Sequence, residues 1–417
     1  MDTAPLLAKL KTLPNCRITD AAGIISFLPS DWPAPVALVE PNETAVITEI
    51  VLAAENAKAA LVPMGGGVKR FTGAPPKPDR PYILLRLAAC NRILAYEPDD
   101  LTVTCEPGLT LAALQAALSV KNQSLALDVP CPESATLGGI VSANGSGFQR
   151  GAYGAARDLL LGVRAVMAGG VAVAGGGRVV KNVAGYDVCK LFTGAWGTLG
   201  IVTEITLKVR AKVPAKRVMA WETADVAMAA KMGLTLHHAQ LAPLFLLATN
   251  EHQNAPRLIV GMEGAAARID WQAEEFTRRI AAAGIVSAPV DLSETDLAAL
   301  LDRQARNDAE TVLAARLSCL LTDLPETARK LEAMNLALTL DCVTGTVSCA
   351  ARQPLAGLAP RIWQAAPPES ALVWTRADAN TTERWGTTRP DFALHKALKN
   401  ALDPQNIFSP GRFFGGL

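Results

Sequence analysis

Residues 63–73 read PMGGGVKRFTG, three consecutive glycines held between a proline and a basic pair. Glycine loses the most conformational freedom on folding, so a triplet in an ordered segment signals a backbone shape or a close approach that no side chain permits. Successive amides without intervening side chains can converge on one anion, and Lys69 and Arg70 stand ready to add charge. The segments on either side set its position. PVALVEP at 35–41 reads as a strand, and in the following TAVITEIVLAAENAKA the apolar Val46, Ile47, Ile50, Val51 and Ala54 recur at helical spacing. ALVPM is again strand-like and runs straight into the glycines. The loop therefore sits at the carboxyl end of a strand, where ligands of folds mixing helices and strands commonly bind.

Short apolar runs follow in YILLRL, RILAYE and LTVTCEPG, then a helical LTLAALQAAL. A second glycine-dense region, SATLGGIVSANGSGFQRGAYG, spans 134–154. Its glycines and the hydroxyls of Thr136, Ser142 and Ser146 could wrap a large polar ligand from a second direction, and a pyrophosphate bridging both loops is the simplest ligand that fits. Neither loop has the G-x-G-x-x-G spacing of the dinucleotide fold, and no GxxxxGK[ST] loop occurs. Later strands are expected in LLLGVRAVMAGG and in GTLGIVTEITLKVRA, the latter only partly obeying an alternation of period two.

Composition excludes several classes. The chain has 417 residues, half of them hydrophobic, which predicts more than one packed unit, and its formal charge of +1 leaves no electrostatic footprint for nucleic acid. No run of about eighteen uncharged apolar residues is present. The N-terminal MDTAPLLAKLKTLPNCRITD is unlike a secretory leader, so the expected location is cytoplasmic, with any inner-membrane association peripheral and made through partners. The eight cysteines are scattered without a CxxC pair, and none of the four histidines has HExxH spacing, so no metal site is assigned.

PMGGGVKR at 63–70, PCPESATLGGIVSAN at 130–144, RGAYG at 150–154, WGTLGIVTE at 196–204 and the terminal LDPQNIFSPGR together resemble the vanillyl-alcohol-oxidase type of FAD-binding proteins. KNVAGYDVCKLFTGAWGTLG at 181–200 is most similar to the E-type FAD-binding subunit of bacterial glycolate oxidase. The resemblance implies an α+β fold: a two-part FAD-binding domain with a second α+β cap domain. Expected boundaries are 1–213 for the FAD-binding domain, 214–388 for the cap, substrate or partner domain, and 389–417 for a C-terminal return to the first domain.

The resemblance further implies noncovalent FAD, since the first loop reads VKR where some relatives carry a flavin-linked histidine. Pro63, Gly65, Gly66, Gly67 and Val68 would meet the pyrophosphate, and Thr136, Gly138, Gly139, Ser142 and Gly145 would line pyrophosphate and flavin. Tyr153 and Gly154 would approach the flavin, with Arg150 a candidate beside them, and Ile201 and Val202 would lie near the adenine end. Lys181, Asn182, Tyr186 and Asp187 form a polar cluster that could face flavin, partner or solvent. Trp196, Trp374 and Trp385 are expected in the core.

Two departures stand out. The 2-hydroxy-acid dehydrogenases of this fold carry an HxH motif and a GDGNxH-like segment, whereas here His237 and His238 are adjacent and no histidine follows a GDGN run. The family's usual acceptor for the hydroxyl proton is absent and no catalytic residue is assigned. Ser409 stands where relatives often have asparagine before the proline and glycine. Three functions fit: an FAD-binding subunit of a glycolate oxidase complex with a sister flavin subunit and an iron-sulfur subunit; a self-sufficient FAD-dependent 2-hydroxy-acid oxidoreductase; or a structural flavin-binding scaffold subunit.

Overall fold

The structure of the protein is a computed structural model, describing all residues except 1–2, 21–22, 25–27, 77–79, 179–185, 252–254, 307, 355–356, 378–380, 382 and 387–388. The chain divides into two compact units. The first comprises 1–146, 155–211 and 388–417, and the second 147–154 and 212–387. The boundaries expected from sequence place 147–154 in the first unit. The structure gives it to the second because Phe148 leaves the glycine region to pack against Phe245, with ring centroids 6.1 Å apart.

In the first unit, β1 (Cys16–Asp20), β2 (Ala37–Pro41), β3 (Ala60–Met64) and β4 (Tyr82–Arg86) form a sheet in the order β1-β2-β4-β3, with β4 parallel to both β2 and β3. The helix Ile47–Asn56 makes the crossover from β2 to β3 and buries Ile47, Ile50, Val51 and Ala54 on the sheet. A second sheet has the order β5-β6-β10-β8-β9, from β5 (Ile93–Glu97), β6 (Thr102–Cys105), β8 (Leu160–Val166), β9 (Ala172–Gly176) and β10 (Ile201–Lys208). The short β7 (Gln123–Ser124) and β11 (Arg210–Ala211) pair with each other. Register shifts between Val202 and Glu204 and between Thr206 and Leu207 explain the imperfect alternation in β10, because each shift turns the following side chains to the other face.

The second unit is built on one antiparallel sheet of eight strands: β12 (Ala215–Glu222), β13 (Phe245–Thr249), β14 (Arg257–Gly264), β15 (Val290–Asp291), β16 (Leu313–Ser318), β17 (Ala337–Asp341), β18 (Thr346–Ala351) and β19 (Ala371–Arg376), in the order β15-β12-β14-β13-β17-β18-β16-β19. Alternation sorts the residues by face. Leu246, Val260, Leu340, Val347, Leu317 and Trp374 enter one apolar core with the helices Val226–His238, Ala266–Ala282 and Leu324–Glu332. The opposite face is largely polar over β16 to β18, with Arg316, Ser348, Thr346, Thr339 and Asp341.

The C-terminal segment returns to the first unit through the edge of β3. Leu61 N–H donates to Ile407 O at 2.7 Å and Ser409 N–H to Leu61 O at 2.8 Å. Asp403 shapes this return by accepting from the amides of Ile407 and Phe408, both at 2.9 Å, and from Lys399, whose buried ammonium also donates to Thr198 O and Phe408 O. Ser409 sits at φ 45° and is 2% exposed. Asparagine, the residue the resemblance leads one to expect here, adopts this left-handed backbone readily.

Candidate functional site

The carboxyl end of β3 opens directly into the glycine triplet. Among the described residues, the amides of Gly65, Gly66 and Gly67 donate to no protein acceptor, although the triplet is ordered on both sides. Buried or sheltered amides ordinarily find a partner, so three successive ones without any mark a place for an external acceptor. The second glycine region comes up against the first. A Cβ on Gly65 would lie 1.9 Å from Thr136 Oγ1, and one on Gly66 would lie 1.7 Å from Ser134 O. Gly67 is left-handed, at φ 77°, and reverses the chain toward Lys69 and Arg70. The glycines thus serve two ends: they let two loops touch and leave amides exposed to what lies between them.

The second region is not an open loop throughout. Thr136 caps a short helix, Leu137–Ser142, by accepting from Gly139 N–H. Gly138 N–H donates to Pro107 O and Gly145 N–H to Ile140 O, both at 2.7 Å. From sequence, these two amides count among those offered to a ligand. The structure instead commits them to holding the helix in place, so at Gly138 and Gly145 it is the missing side chain that matters. A Cβ on Gly138 would come within 2.7 Å of Pro107 Cβ.

Between the loops lies a cleft lined by Pro63, Gly65 to Val68, Thr136, Gly138, Gly139, Ser142, Gly145, Ile201 and Val202. Tyr153 and Gly154 are not among the lining residues and fall in the second unit. Of the polar cluster expected from sequence, Lys181 and Asn182 lie outside the described residues, whereas Tyr186 is almost fully exposed and Asp187 caps the helix Val188–Phe192.

Sequence reasoning missed several contributors. Trp196, expected in the core, lines the cleft instead, with Lys69 Nζ 5.8 Å from its ring, while Trp374 is buried in the core and Trp385 is half-buried. Trp196 is also left-handed, at φ 54°, between Ala195 and a left-handed Gly197 packed on Pro63. The resulting turn brings the indole to the rim. Arg412 of the terminal SPGR also lines the cleft, anchored by donation to Ala74 O and Thr72 O and stacked 4.1 Å over Trp32. With Lys69 and Arg70 it makes a lining that contains three cations and no carboxylate. The charge balance suits a phosphate-bearing ligand.

No histidine, cysteine or tyrosine is among the lining residues, so the lining offers no side chain of the kinds that tether a flavin covalently. His237 and His238 occupy the last turn of the helix Val226–His238. Among the described residues no group of three histidine, cysteine or acidic side chains gathers, and no helix is long and apolar enough to cross a membrane.

Residues 35–175 match the family described as FAD binding domain, a span that includes both glycine loops. The chain is 30% identical over 226 residues to glycolate oxidase subunit GlcD of Bacillus subtilis, covering 54% of this chain and 47% of that protein. It is 36% identical over 174 residues to glycolate oxidase subunit GlcE of Escherichia coli, covering 41% and 48% respectively. To D-2-hydroxyglutarate dehydrogenase of Stutzerimonas stutzeri it is 32% identical over 216 residues, covering 50% and 46%. These alignments span about half the length of each relative. Among solved structures, p-cresol methylhydroxylase superposes with a TM-score of 0.76 at 15% identity, covering 98% of this chain and 96% of that one. Alkyldihydroxyacetonephosphate synthase superposes at 0.72 and 17% identity, covering 99% and 86%. The fold is the vanillyl-alcohol-oxidase type of FAD-binding fold, and FAD is the cofactor.

Proposed function

We propose that the chain is an FAD-dependent oxidoreductase subunit for a small 2-hydroxy acid, and within that class the GlcE-type FAD-binding subunit of a glycolate oxidase complex. The observation that carries the reading is the pair of touching glycine loops with three unpartnered amides, in a chain whose relatives are named for oxidation of glycolate and 2-hydroxyglutarate. Bound FAD would supply a hydride acceptor that can pass electrons onward. The protein's part would be to hold it: the amides of Gly65 to Gly67 would donate to the pyrophosphate, Lys69, Arg70 and Arg412 would balance its charge, and Ile201, Val202 and Trp196 would provide apolar walls.

Proton transfer is the part this lining does not supply. Removing hydride from an alcohol carbon requires a base for the hydroxyl proton, and the cleft presents neither histidine nor carboxylate. That supports a division of labour in which a sister flavin subunit performs the substrate chemistry and an iron-sulfur subunit takes the electrons. We place the chain in the cytoplasm, reaching a membrane only through such partners. The test is the visible spectrum of the purified chain during anaerobic addition of glycolate and D-lactate, repeated with its co-purifying partners. A flavin spectrum bleached only in the assembly is expected. Bleaching of the isolated chain would replace this reading with a self-sufficient oxidoreductase, and a flavin inert in both preparations would leave a structural scaffold.

A further inference from the structure

The second unit treats two of its arginines very differently. Arg306 is paired with Glu251 through two hydrogen bonds of 2.6 and 2.7 Å, with Thr339 and Gln304 completing the carboxylate's shell. Arg316, on β16, lies on the polar face of the same sheet and has no ion-pair or hydrogen-bond partner for its guanidinium among the described residues. Register places it opposite Ser348, which shares a face with Thr346 two residues away, and Thr346 is opposite Asp341. Asp341 is the acid in electrostatic reach, yet its carboxylate is turned to its own loop. It accepts from Val343 N–H at 2.9 Å, Thr344 N–H at 3.3 Å and the Thr344 hydroxyl at 2.6 Å.

A second cation is brought to this face by the 147–154 excursion. Gly151 is seated so closely on the same loop that a Cβ would lie 2.5 Å from Val343 Cγ1. The preceding Arg150 is exposed, has no described acidic partner and acts electrostatically on Arg316. Desolvation, followed by the charge of Arg150, lowers the Arg316 pKa to about 10, against the opposing pull of Asp341. Desolvation also raises Asp341, which weakens it as a counter-charge. A desolvated cation beside a second cation costs stability unless an anion completes the arrangement. A guanidinium is planar and forked, and a carboxylate satisfies it with two parallel hydrogen bonds.

The geometry points to a carboxylate-binding site on the polar face of the second unit's sheet, formed by Arg316 of β16 and Arg150 of the 147–154 excursion, for a small organic acid. The choice of an organic acid rests on the proposed 2-hydroxy-acid function; the site's preference for an anion does not. Oxalate is the probe, because it presents carboxylates but has no hydrogen to give up. Calorimetric titration of the FAD-loaded chain with oxalate, with sulfate in parallel, should show oxalate binding. Arg316→Met should weaken it by about tenfold or more, as expected for loss of a charge-assisted pair. Arg150→Gln should weaken it several-fold, with the flavin spectrum unchanged in both.

Arg316→Met removes an unpaired desolvated charge and is expected to melt no lower than the parent. The exposed Arg150→Gln supplies an independent variant. Oxalate affinity unchanged in both variants, or no oxalate binding by the parent, overturns the site, and sulfate binding as tightly as oxalate overturns its carboxylate preference. The two proposals fail separately. Arginine-dependent oxalate binding with no bleaching by any hydroxy acid, alone or in the assembly, removes the function and leaves the site. Bleaching with arginine-independent oxalate binding does the reverse.

Discussion

Gly66 and Gly139 both line the cleft proposed to hold FAD, yet a side chain does different harm at each. A Cβ on Gly66 would be driven into Ser134 O, at 1.7 Å, and backbone cannot swing aside as a side chain can. Gly66→Ala therefore separates the two loops, and both FAD retention and the melting temperature should fall. At Gly139 a Cβ meets only Thr136 Oγ1 at 3.3 Å, so Gly139→Leu should fold with a near-parental melting temperature while its side chain competes with the ligand for the cleft. Thermal melts and bound-flavin absorbance of both variants check this; equal loss of stability in the two would contradict it. The triplet is legible in the sequence because glycine alone tolerates such an approach. The partner of Gly138 is not, since Pro107 is distant in sequence and nothing in the local pattern says whose carbonyl an amide will meet. Trp196 escapes for a related reason: a tryptophan among apolar residues looks like core, and its left-handed φ is invisible until the chain is folded.

Elements defined by periodicity are readable and those defined by tertiary partners are not. The strand ALVPM coincides with β3, and the helical spacing of Val46 to Ala54 is met by the helix Ile47–Asn56. The ion pair at the end of β13 has no local signature, because Glu251 and Arg306 are 55 positions apart. Desolvation raises the Glu251 pKa, but hydrogen bonding and charge from Arg306, with bonds from Thr339 and Gln304, outweigh it and leave the carboxyl below its ordinary value of 4.5. A depressed carboxyl pKa stabilises the fold above that ordinary value, and the contribution disappears as pH falls through the lower folded-state value. Glu251→Gln should cost about 3–5 kcal/mol at neutral pH, since Arg306 is left buried without its counter-charge. It should also flatten the loss of stability below about pH 4.5. Denaturant unfolding as a function of pH measures both, and a variant retaining the parental acid slope would show that another group sets it.

At the scale of the molecule, PMGGGVKR, PCPESATLGGIVSAN, WGTLGIVTE and the terminal SPGR all fall in the first unit, which is why the fold and cofactor are readable from their order. The 147–154 excursion is not, because a glycine-rich run gives no sign of which core it will join; Phe148 decides that by its contact with Phe245. The central claim is that the amides of Gly65, Gly66 and Gly67 await the pyrophosphate of FAD. Hydrogen exchange of these amides, measured on the chain stripped of FAD and again after FAD is restored, tests it most directly. Fast exchange without FAD and strong slowing with it, centred on 65–67, is the predicted result. Unchanged exchange across 65–67 while FAD protects another part of the chain would contradict the assignment.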